Sequence, residues 1–221
     1  MNFWDMLLES TRQDFLAQAV ERRYKTGKVI INEGDRAGWV LVLTVGRAKV
    51  VTSAGGGHDV VLGVREPGDI IGEMAAVDGN PRSASVIAVE DVTALWLPAQ
   101  RFARLMREPD VSSALLKIIS GRLRTANVRR AEYGDRTTFV RLASLLNEIV
   151  LRYGVRTRDG VLITLRISQQ DLAGLISASR EAVARALREL REDGVLTTGR
   201  QRMIVHRPEV LEEIVNASAS A

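Results

Sequence analysis

The chain has 221 residues, with 31 Lys and Arg against 27 Asp and Glu, a net charge of +4 and a mean hydropathy of −0.01. The absence of Cys excludes disulfides and thiolate-held clusters, and two His, His58 and His206, argue against a haem or a histidine-rich metal site. Without a basic leader or an apolar run of about 20 residues, the chain is expected to be cytoplasmic, with no membrane span, metal, haem or iron-sulfur cluster.

Short β-branched runs separated by Gly, Asn and Asp fill residues 28–98. The runs lie at 29–31, 40–45, 48–52 and 59–64. Runs of this length with turn residues between them are typical of a small barrel or β-roll. Apolar spacing in residues 1–20 indicates one or two short helices that pack on it. We therefore predict a β-roll domain over residues 1–110.

The hydrophobic period becomes helical after Pro98, and a long helix is predicted from about 109 to 134. Its apolar residues recur at intervals of three and four at Leu115, Ile119, Leu123 and Ala126. This seam can pair with the same helix of a second chain, or it can cover the barrel. We favour pairing because the far half of the helix alternates Arg with small residues, as a connector would. The prediction is a central dimerisation helix over 111–134.

Residues 168–194 have the pattern of a helix-turn-helix within a predicted domain over 135–221. A helix Phe139 to Leu151 opens this domain, with a break and a new N-cap at Gly134 and Asp135. Ser168 and Asp171 form a capping box that begins the first helix of the motif. Residues 177–178 allow a tight turn before a second helix. That second helix is capped by Ser179.

The second helix has a buried stripe at Val183, Leu187 and Leu190, and its opposite face is basic. A guanidinium can donate two hydrogen bonds to guanine, and a carboxylate can accept one from cytosine. A following hairpin with a basic tip at 199–202 is suited to phosphates and would be the wing. A charged helix face is often only solvated, but the cap, turn, stripe and basic hairpin together favour DNA binding. The predicted DNA-binding residues are Ser168, Gln170, Ser179, Arg180, Glu181, Arg185, Arg188 and Arg200.

Two short segments, GEMA at 72–75 and PRSA at 81–84, have the chemistry of an anion site. Backbone amides of a helical turn would lie beside Arg82 and a hydroxyl. Glu73 fits beside an anion if it accepts a hydrogen bond from a sugar hydroxyl of the same ligand. A sugar phosphate explains both residues, whereas the alternative is an ordinary surface pair of Arg and Glu.

With EGD at 33–35, PGD at 67–69 and SRE at 179–181, these motifs stand in the order and spacing of a known family. The chain resembles the cyclic-AMP receptor protein (CRP/FNR) family of bacterial transcription regulators from residue 28 to 208. The resemblance implies an α+β fold: an N-terminal cyclic-nucleotide-binding β-roll, a long central dimerisation helix and a C-terminal winged helix-turn-helix. It also implies double-stranded DNA as a partner, a homodimer through the central helix, and RNA polymerase as a partner if the protein is an activator.

By resemblance, Glu73 would hold a ribose hydroxyl, and Arg82 with Ser83 would hold the cyclic phosphate of cyclic AMP, the expected effector. The ligand-binding residues implied in this way are Val50, Leu62, Gly63, Gly72, Glu73, Met74, Ala75, Arg82, Ser83, Ala84, Ala126 and Asn127. Cyclic-AMP responders carry a Thr-Ser pair in the central helix, where this chain has Ala126 and Asn127. The sequence therefore leaves cyclic AMP, cyclic GMP and no nucleotide open.

Three functions remain to be compared. The first is a regulator whose DNA binding is controlled by a ligand in the barrel. The second keeps the DNA binding, with a barrel that is ligand-independent or senses another small molecule. The third is an enzyme, which we do not expect, because no residues remain for a catalytic domain after both modules are assigned.

Overall fold

The computed structural model describes residues 2–36, 38–54, 58–199 and 202–219. The chain forms two compact units, Met1–Ala126 and Asn127–Ala221. The division between the units falls inside a long helix and coincides with neither predicted domain limit. The limits at residues 110 and 134 therefore stay a prediction. None of the helices in the described ranges is long and apolar enough to cross a membrane.

The first unit contains eight strands and four helices among its described residues. Its helical elements are a 3-10 turn at Trp4–Met6, α1 at Glu9–Gln18, α2 at Glu73–Asp78, α3 at Ala99–Leu105 and α4 at Pro109–Asp135, the last continuing beyond the unit. Its strands are β1 Val20–Tyr24, β2 Val29–Ile31, β3 Trp39–Val45, β4 Ala48–Ala54, β5 His58–Arg65, β6 Ile70–Ile71, β7 Ser85–Ala88 and β8 Val92–Pro98. The predicted long helix and all four predicted β-branched runs are confirmed.

The strands form two antiparallel sheets with the orders β1-β8-β3-β6 and β2-β7-β4-β5. Side chains alternate across a strand, and β3 shows this with four consecutive buried residues. Leu41 and Leu43 belong to a core that both sheets share, while Val40 and Val42 belong to a second core under α1, α3 and α4. The predicted β-roll is thus confirmed, with its helices packed over one sheet.

The predicted seam of α4 divides between two environments. Leu115 is only 3% exposed and belongs to the core under the helices, and Ile119 packs against that core. For this part of α4 the alternative, that the face covers the barrel, is correct. The seam residue Leu123 is instead 60% exposed, and Leu116, next to the seam residue Leu115, is 68% exposed. These two residues are seven apart and therefore lie on one side of the helix.

Among its described residues, the second unit contains the end of α4, four further helices and a four-stranded sheet. In chain order its elements are α5 Thr138–Tyr153, β9 Gly154–Thr157, β10 Gly160–Ile163, α6 Gln169–Leu175, α7 Arg180–Glu192, β11 Leu196–Gly199, β12 Arg202–Val205 and α8 Pro208–Ala219. The sheet has the order β11-β12-β10-β9. Buried residues of α5, α6, α7 and α8, such as Leu146, Leu172, Leu187 and Leu211, form the interior of this unit.

The predicted helix at 139–151 is confirmed as α5, which begins at Thr138, but its predicted N-cap, Asp135, is wrong. Asp135 is still part of α4, and the N-cap of α5 is Thr137, whose hydroxyl accepts from the backbone N–H of Val140 at 3.4 Å. A Thr can cap a helix as an Asp does, so the sequence offered two acceptable caps within three residues. The hairpin of β9 and β10 and the helix α8 were not predicted.

Candidate functional site

A cavity of about 400 Å³ opens in the first unit between α2, the strand β5 and the helix α4. Its volume lies in the range of small-ligand pockets, roughly 300–1,000 Å³. Ten of the twelve predicted ligand-binding residues line it: Val50, Leu62, Gly72, Glu73, Met74, Ala75, Arg82, Ser83, Ala84 and Ala126. Gly63, which pairs with Val50 in the sheet, and Asn127, the first residue of the second unit, are outside the lining set.

Arg82 is held at the base of this cavity and is only 4% exposed. Its Nη1 and Nη2 each donate at 2.6 Å, to the carbonyl oxygens of Gly72 and Trp39. The guanidinium also stacks on the Trp39 ring, 4.6 Å from the ring centroid. The backbone of Arg82 donates to the carbonyl of Asp35 and accepts from Gly34. Both the backbone and the side chain of this residue are therefore held in place by protein groups.

Burial affects the charge of Arg82 as well as its position. Desolvation lowers the pKa of the guanidinium, and the carboxylates of Glu73 and Asp35 oppose that decrease. An arginine remains protonated in proteins even under these conditions. The described residues accept two of its five N–H groups, so the site keeps a buried positive charge with further donors.

Gly72 is necessary for this arrangement. The residue has φ +78°, in the left-handed region that glycine adopts without strain, and α2 begins at the next residue. A Cβ at position 72 would overlap Nη1 of Arg82. Glycine here thus satisfies both the turn into α2 and the close approach of the guanidinium.

Glu73 is also buried, at 4% exposure, and its carboxylate is paired. Its Oε1 accepts a hydrogen bond from Nη1 of Arg122 on α4, and Nη2 of Arg122 donates to the carbonyl of Ile70 at 3.0 Å. Arg122 was not among the predicted site residues. It lies one helical turn before Ala126, so the i−4 spacing on the predicted helix would have indicated it.

Other lining residues were also missed: Ile31, Arg65, Ile71, Val86, Ile119, Leu123 and the Arg122 just described. Most of them are apolar and cannot be distinguished from ordinary core residues in a sequence. Arg65 had a usable signal, because it follows Gly63 by two positions on β5 and therefore projects to the same face of the sheet.

The second unit contains the predicted helix-turn-helix, formed by α6 and α7. The hydroxyl of Ser168 accepts from the backbone N–H of Asp171 at 3.1 Å, and the Asp171 carboxylate accepts from the Ser168 N–H at 3.0 Å. The predicted capping box is confirmed. The hydroxyl proton of Ser168 also goes to Asp171, so this hydroxyl serves the cap in this arrangement.

The two faces of α7 differ as the sequence pattern predicted, one being buried and apolar and the other exposed and charged. Val183, Leu187 and Leu190 are buried at 1% exposure or less. The predicted base-reading and phosphate-binding residues Arg180, Glu181, Arg185 and Arg188 are all exposed, as is Gln170 on α6. Four charged side chains on one helix thus face away from the interior of the unit.

Ser179 and Glu181 are coupled at the beginning of α7. The Ser179 hydroxyl caps the helix by accepting from the Ala182 N–H at 3.1 Å. The pKa of the Glu181 carboxyl is lowered by hydrogen bonds from its own backbone N–H and from Ser179, with smaller effects from Arg180 and Arg185. Glu181 therefore stays ionised at neutral pH and can accept from a base amino group.

The turn between α6 and α7 contains the one non-glycine residue with positive φ in the described part of the chain, Ser177 at +48°. This conformation costs an L-residue about 1–2 kcal/mol, whereas glycine adopts it without a Cβ clash. We expect Ser177→Gly to stabilise the second unit by about 0.5–1 kcal/mol, after the entropy cost of glycine.

Thermal and urea unfolding followed by circular dichroism measures this effect. Ser179→Ala is the matched control in the same turn, and it should destabilise by about 1 kcal/mol through loss of the cap. A lower midpoint for Ser177→Gly would show that the turn is not strained.

The predicted wing is formed by β11 and β12, which pair from Leu196 with Val205 to Gly199 with Arg202. The tip, including the predicted phosphate contact Arg200, lies outside the described residues. Arg191 at the end of α7 donates to Thr198 of β11 at 3.0 Å. This bond connects the end of the second helix to the wing.

These features define a class of protein with a small-ligand cavity in a β-roll and a winged helix-turn-helix. The cyclic nucleotide-binding domain family matches residues 21–109, and the Crp-like helix-turn-helix domain family matches residues 140–214.

Curated relatives and solved structures agree with that class. The chain is 31% identical over 194 residues to the cyclic AMP receptor protein of Thermus thermophilus, covering 87% of each chain. It is 26% identical to a global nitrogen regulator of Nostoc, again over 87% of each chain. It superposes on the c-di-GMP-responsive global regulator CLP of Xanthomonas campestris with a TM-score of 0.80 and 23% identity, over 89% of this chain and 98% of that one. The chain belongs to the CRP/FNR family of DNA-binding transcription regulators.

Proposed function

We propose that the protein is a dimeric transcription regulator whose DNA binding is controlled by a cyclic nucleotide held in the β-roll. The observation that carries this proposal is the cavity in which a buried guanidinium, Arg82, lies beside the exposed hydroxyl of Ser83 and the buried carboxylate of Glu73. A buried charge is costly, so a cationic group kept at the base of a cavity favours an anionic ligand.

The cavity residues can be assigned to the parts of such a ligand. Arg82 and Ser83 would donate to the cyclic phosphate. Glu73, which accepts from Arg122, would also accept from a ribose hydroxyl. The apolar residues Val50 and Leu62 would contact the purine. Arg122 would connect the ligand to α4, since it bonds the carboxylate that receives the ribose.

Cyclic AMP is the first candidate effector. The Thermus thermophilus relative is named a cyclic AMP receptor protein, whereas the CLP regulator responds to c-di-GMP. A ligand controls the protein only if it binds the DNA-competent arrangement more tightly than the other.

The proposed dimer uses exposed apolar residues of α4, one of which, Leu123, also lines the cavity. Leu116 and Leu123 are exposed at a heptad interval, which suits pairing with the same helix of a second copy. Such a dimer would place its two α7 helices about 34 Å apart, on successive major grooves of a two-fold DNA site. Arg180, Glu181 and Arg185 would read bases, and Arg188 would contact phosphate. If the protein activates transcription, RNA polymerase is its further partner.

One observation favours a second candidate, a regulator whose barrel needs no nucleotide. The charged groups of the cavity already have protein partners: Glu73 is paired with Arg122, and Arg82 donates to two carbonyl oxygens. A barrel with these bonds is stable without a ligand.

Titration separates the two candidates. Nucleotide-stripped full-length protein is titrated with cyclic AMP in a calorimeter, and its affinity for duplexes selected from a random library is measured with and without the nucleotide. Micromolar or tighter binding that raises DNA affinity supports the proposal. Equal DNA affinity with and without nucleotide would establish the ligand-independent regulator.

A further inference from the structure

Arg65 places a third guanidinium on the cavity wall, on the strand β5. Its side chain folds back over Gly63, because a Cβ at position 63 would lie 3.2 Å from Nη1 of Arg65. The same Nη1 donates to the carbonyl of Val64 at 3.1 Å. The absence of a side chain at Gly63 therefore makes room for the guanidinium against the wall of the cavity.

The strand that contributes Arg65 is separated in the sheet from the phosphate end of the cavity. Arg82 and Ser83 lie shortly before β7, and the strand order β2-β7-β4-β5 puts β5 two strands beyond β7. Two strand spacings amount to about 10 Å. Val86, Val50 and Gly63 are cross-strand neighbours on β7, β4 and β5. The Arg65 head group lies over Gly63, next to the apolar part of the cavity wall.

The lining residues of that wall determine which part of a nucleotide it meets. The strands β4 and β5 contribute three of the described lining residues. Val50 and Leu62 are apolar, and Arg65 is charged. A nucleotide with its phosphate at Arg82 and its ribose at Glu73 has only its base left for this wall. The base would thus meet apolar surface and one guanidinium.

The guanidinium discriminates between purines, because it carries N–H donors and no acceptor. Guanine presents two adjacent acceptors, O6 and N7, which match the two-pronged geometry of arginine. Adenine presents N7 beside an amino group, which is a donor and so mismatches a second N–H. We propose that Arg65 reads the base of the bound nucleotide and makes the cavity prefer guanine to adenine.

This inference rests on the cyclic-nucleotide control proposed above, and it changes the expected ranking of the nucleotides. The test compares cyclic AMP, cyclic GMP and cyclic IMP by calorimetry on the stripped full-length protein. Cyclic IMP carries O6 and N7 but lacks the amino group of guanine. We expect cyclic GMP and cyclic IMP to bind alike, and about tenfold or more tightly than cyclic AMP.

Three variants complete the test. Arg65→Leu should lower the affinity for cyclic GMP and cyclic IMP about tenfold or more while changing that for cyclic AMP little, and Arg65→Lys should fall between Arg65→Leu and the parent. Arg23→Leu removes the same charge from an exposed strand position and should leave all three affinities unchanged. Because a folding defect would weaken all nucleotides alike, the ratio of affinities is the decisive readout.

The possible failures are distinguishable. Tighter binding of cyclic AMP than of cyclic GMP, or an equal loss for all nucleotides in Arg65→Leu, would overturn the role of Arg65 and leave nucleotide control intact. Failure of the parent protein to bind any of the three would overturn nucleotide control and this inference with it.

Discussion

Replacement of Arg82 by Leu is expected to lower the affinity for cyclic nucleotide by at least about 100-fold, because charge-assisted hydrogen bonds to a phosphate are the strongest contacts the cavity offers. Leu is similar in volume to the aliphatic part of Arg82 but offers no donor. Calorimetric titration measures the loss, and DNA binding should then no longer respond to the nucleotide.

This substitution also removes the donors to the carbonyl oxygens of Gly72 and Trp39, so the fold must be verified separately. Far-ultraviolet circular dichroism and DNA affinity without nucleotide serve that purpose. Arg82→Lys keeps the positive charge but loses the two-pronged donor geometry of the guanidinium. This variant should bind cyclic nucleotide more weakly than the parent yet more tightly than Arg82→Leu. Arg104→Leu, at an exposed position of α3, is the matched control. Unchanged binding in Arg82→Leu would contradict the assignment of Arg82 to the ligand anion.

Replacement of Arg180 by Ala should cost about 1–3 kcal/mol of DNA-binding free energy on the preferred site and relax selectivity at one base position. Arg180 is exposed at the first position of α7, where a recognition helix approaches base edges. Selection from a random duplex library, followed by fluorescence anisotropy on single-base variants, measures both the affinity and the relaxed position.

Arg188, two turns further along α7, provides the comparison. Arg188→Ala should weaken binding about equally on all sequences and reduce the slope of log affinity against log salt by about 1. If Arg180→Ala behaves in the same way, its contact is with phosphate and its base-reading role is wrong.

The elements that sequence reasoning found are those whose signals are local. The capping box of Ser168 and Asp171 and the buried stripe of α7 depend on residues within one or two helical turns, so their spacing alone determines them. The motifs at 72–75 and 81–84 are close together along the chain, separated by the end of α2 and a short loop, and they indicated the anion end of the cavity.

The parts that were missed depend on contacts between distant segments. The pairing of Glu73 with Arg122 joins residues 49 positions apart. Helical spacing places Arg122 on the same face as Ala126, but it does not identify Glu73 as the partner. Leu115 illustrates the same limit, because a three-and-four spacing predicts an apolar face without telling which surface covers it. In the structure, Leu115 is covered by the core of the first unit.

Because Arg82 stacks on Trp39, the intrinsic tryptophan fluorescence of the protein should report ligand binding in the cavity. Indole emission depends on nearby charge, so an anion that binds the guanidinium beside the ring alters the fluorescence of Trp39. Trp4 packs edge-on against Phe15 at 5.6 Å, and Arg22 lies 4.4 Å from the ring centroid of Trp96. Neither Phe15 nor Arg22 lines the cavity, so these two indoles contribute a constant background. Occupancy of the cavity can therefore be followed in unlabelled protein, in real time and at concentrations too low for calorimetry.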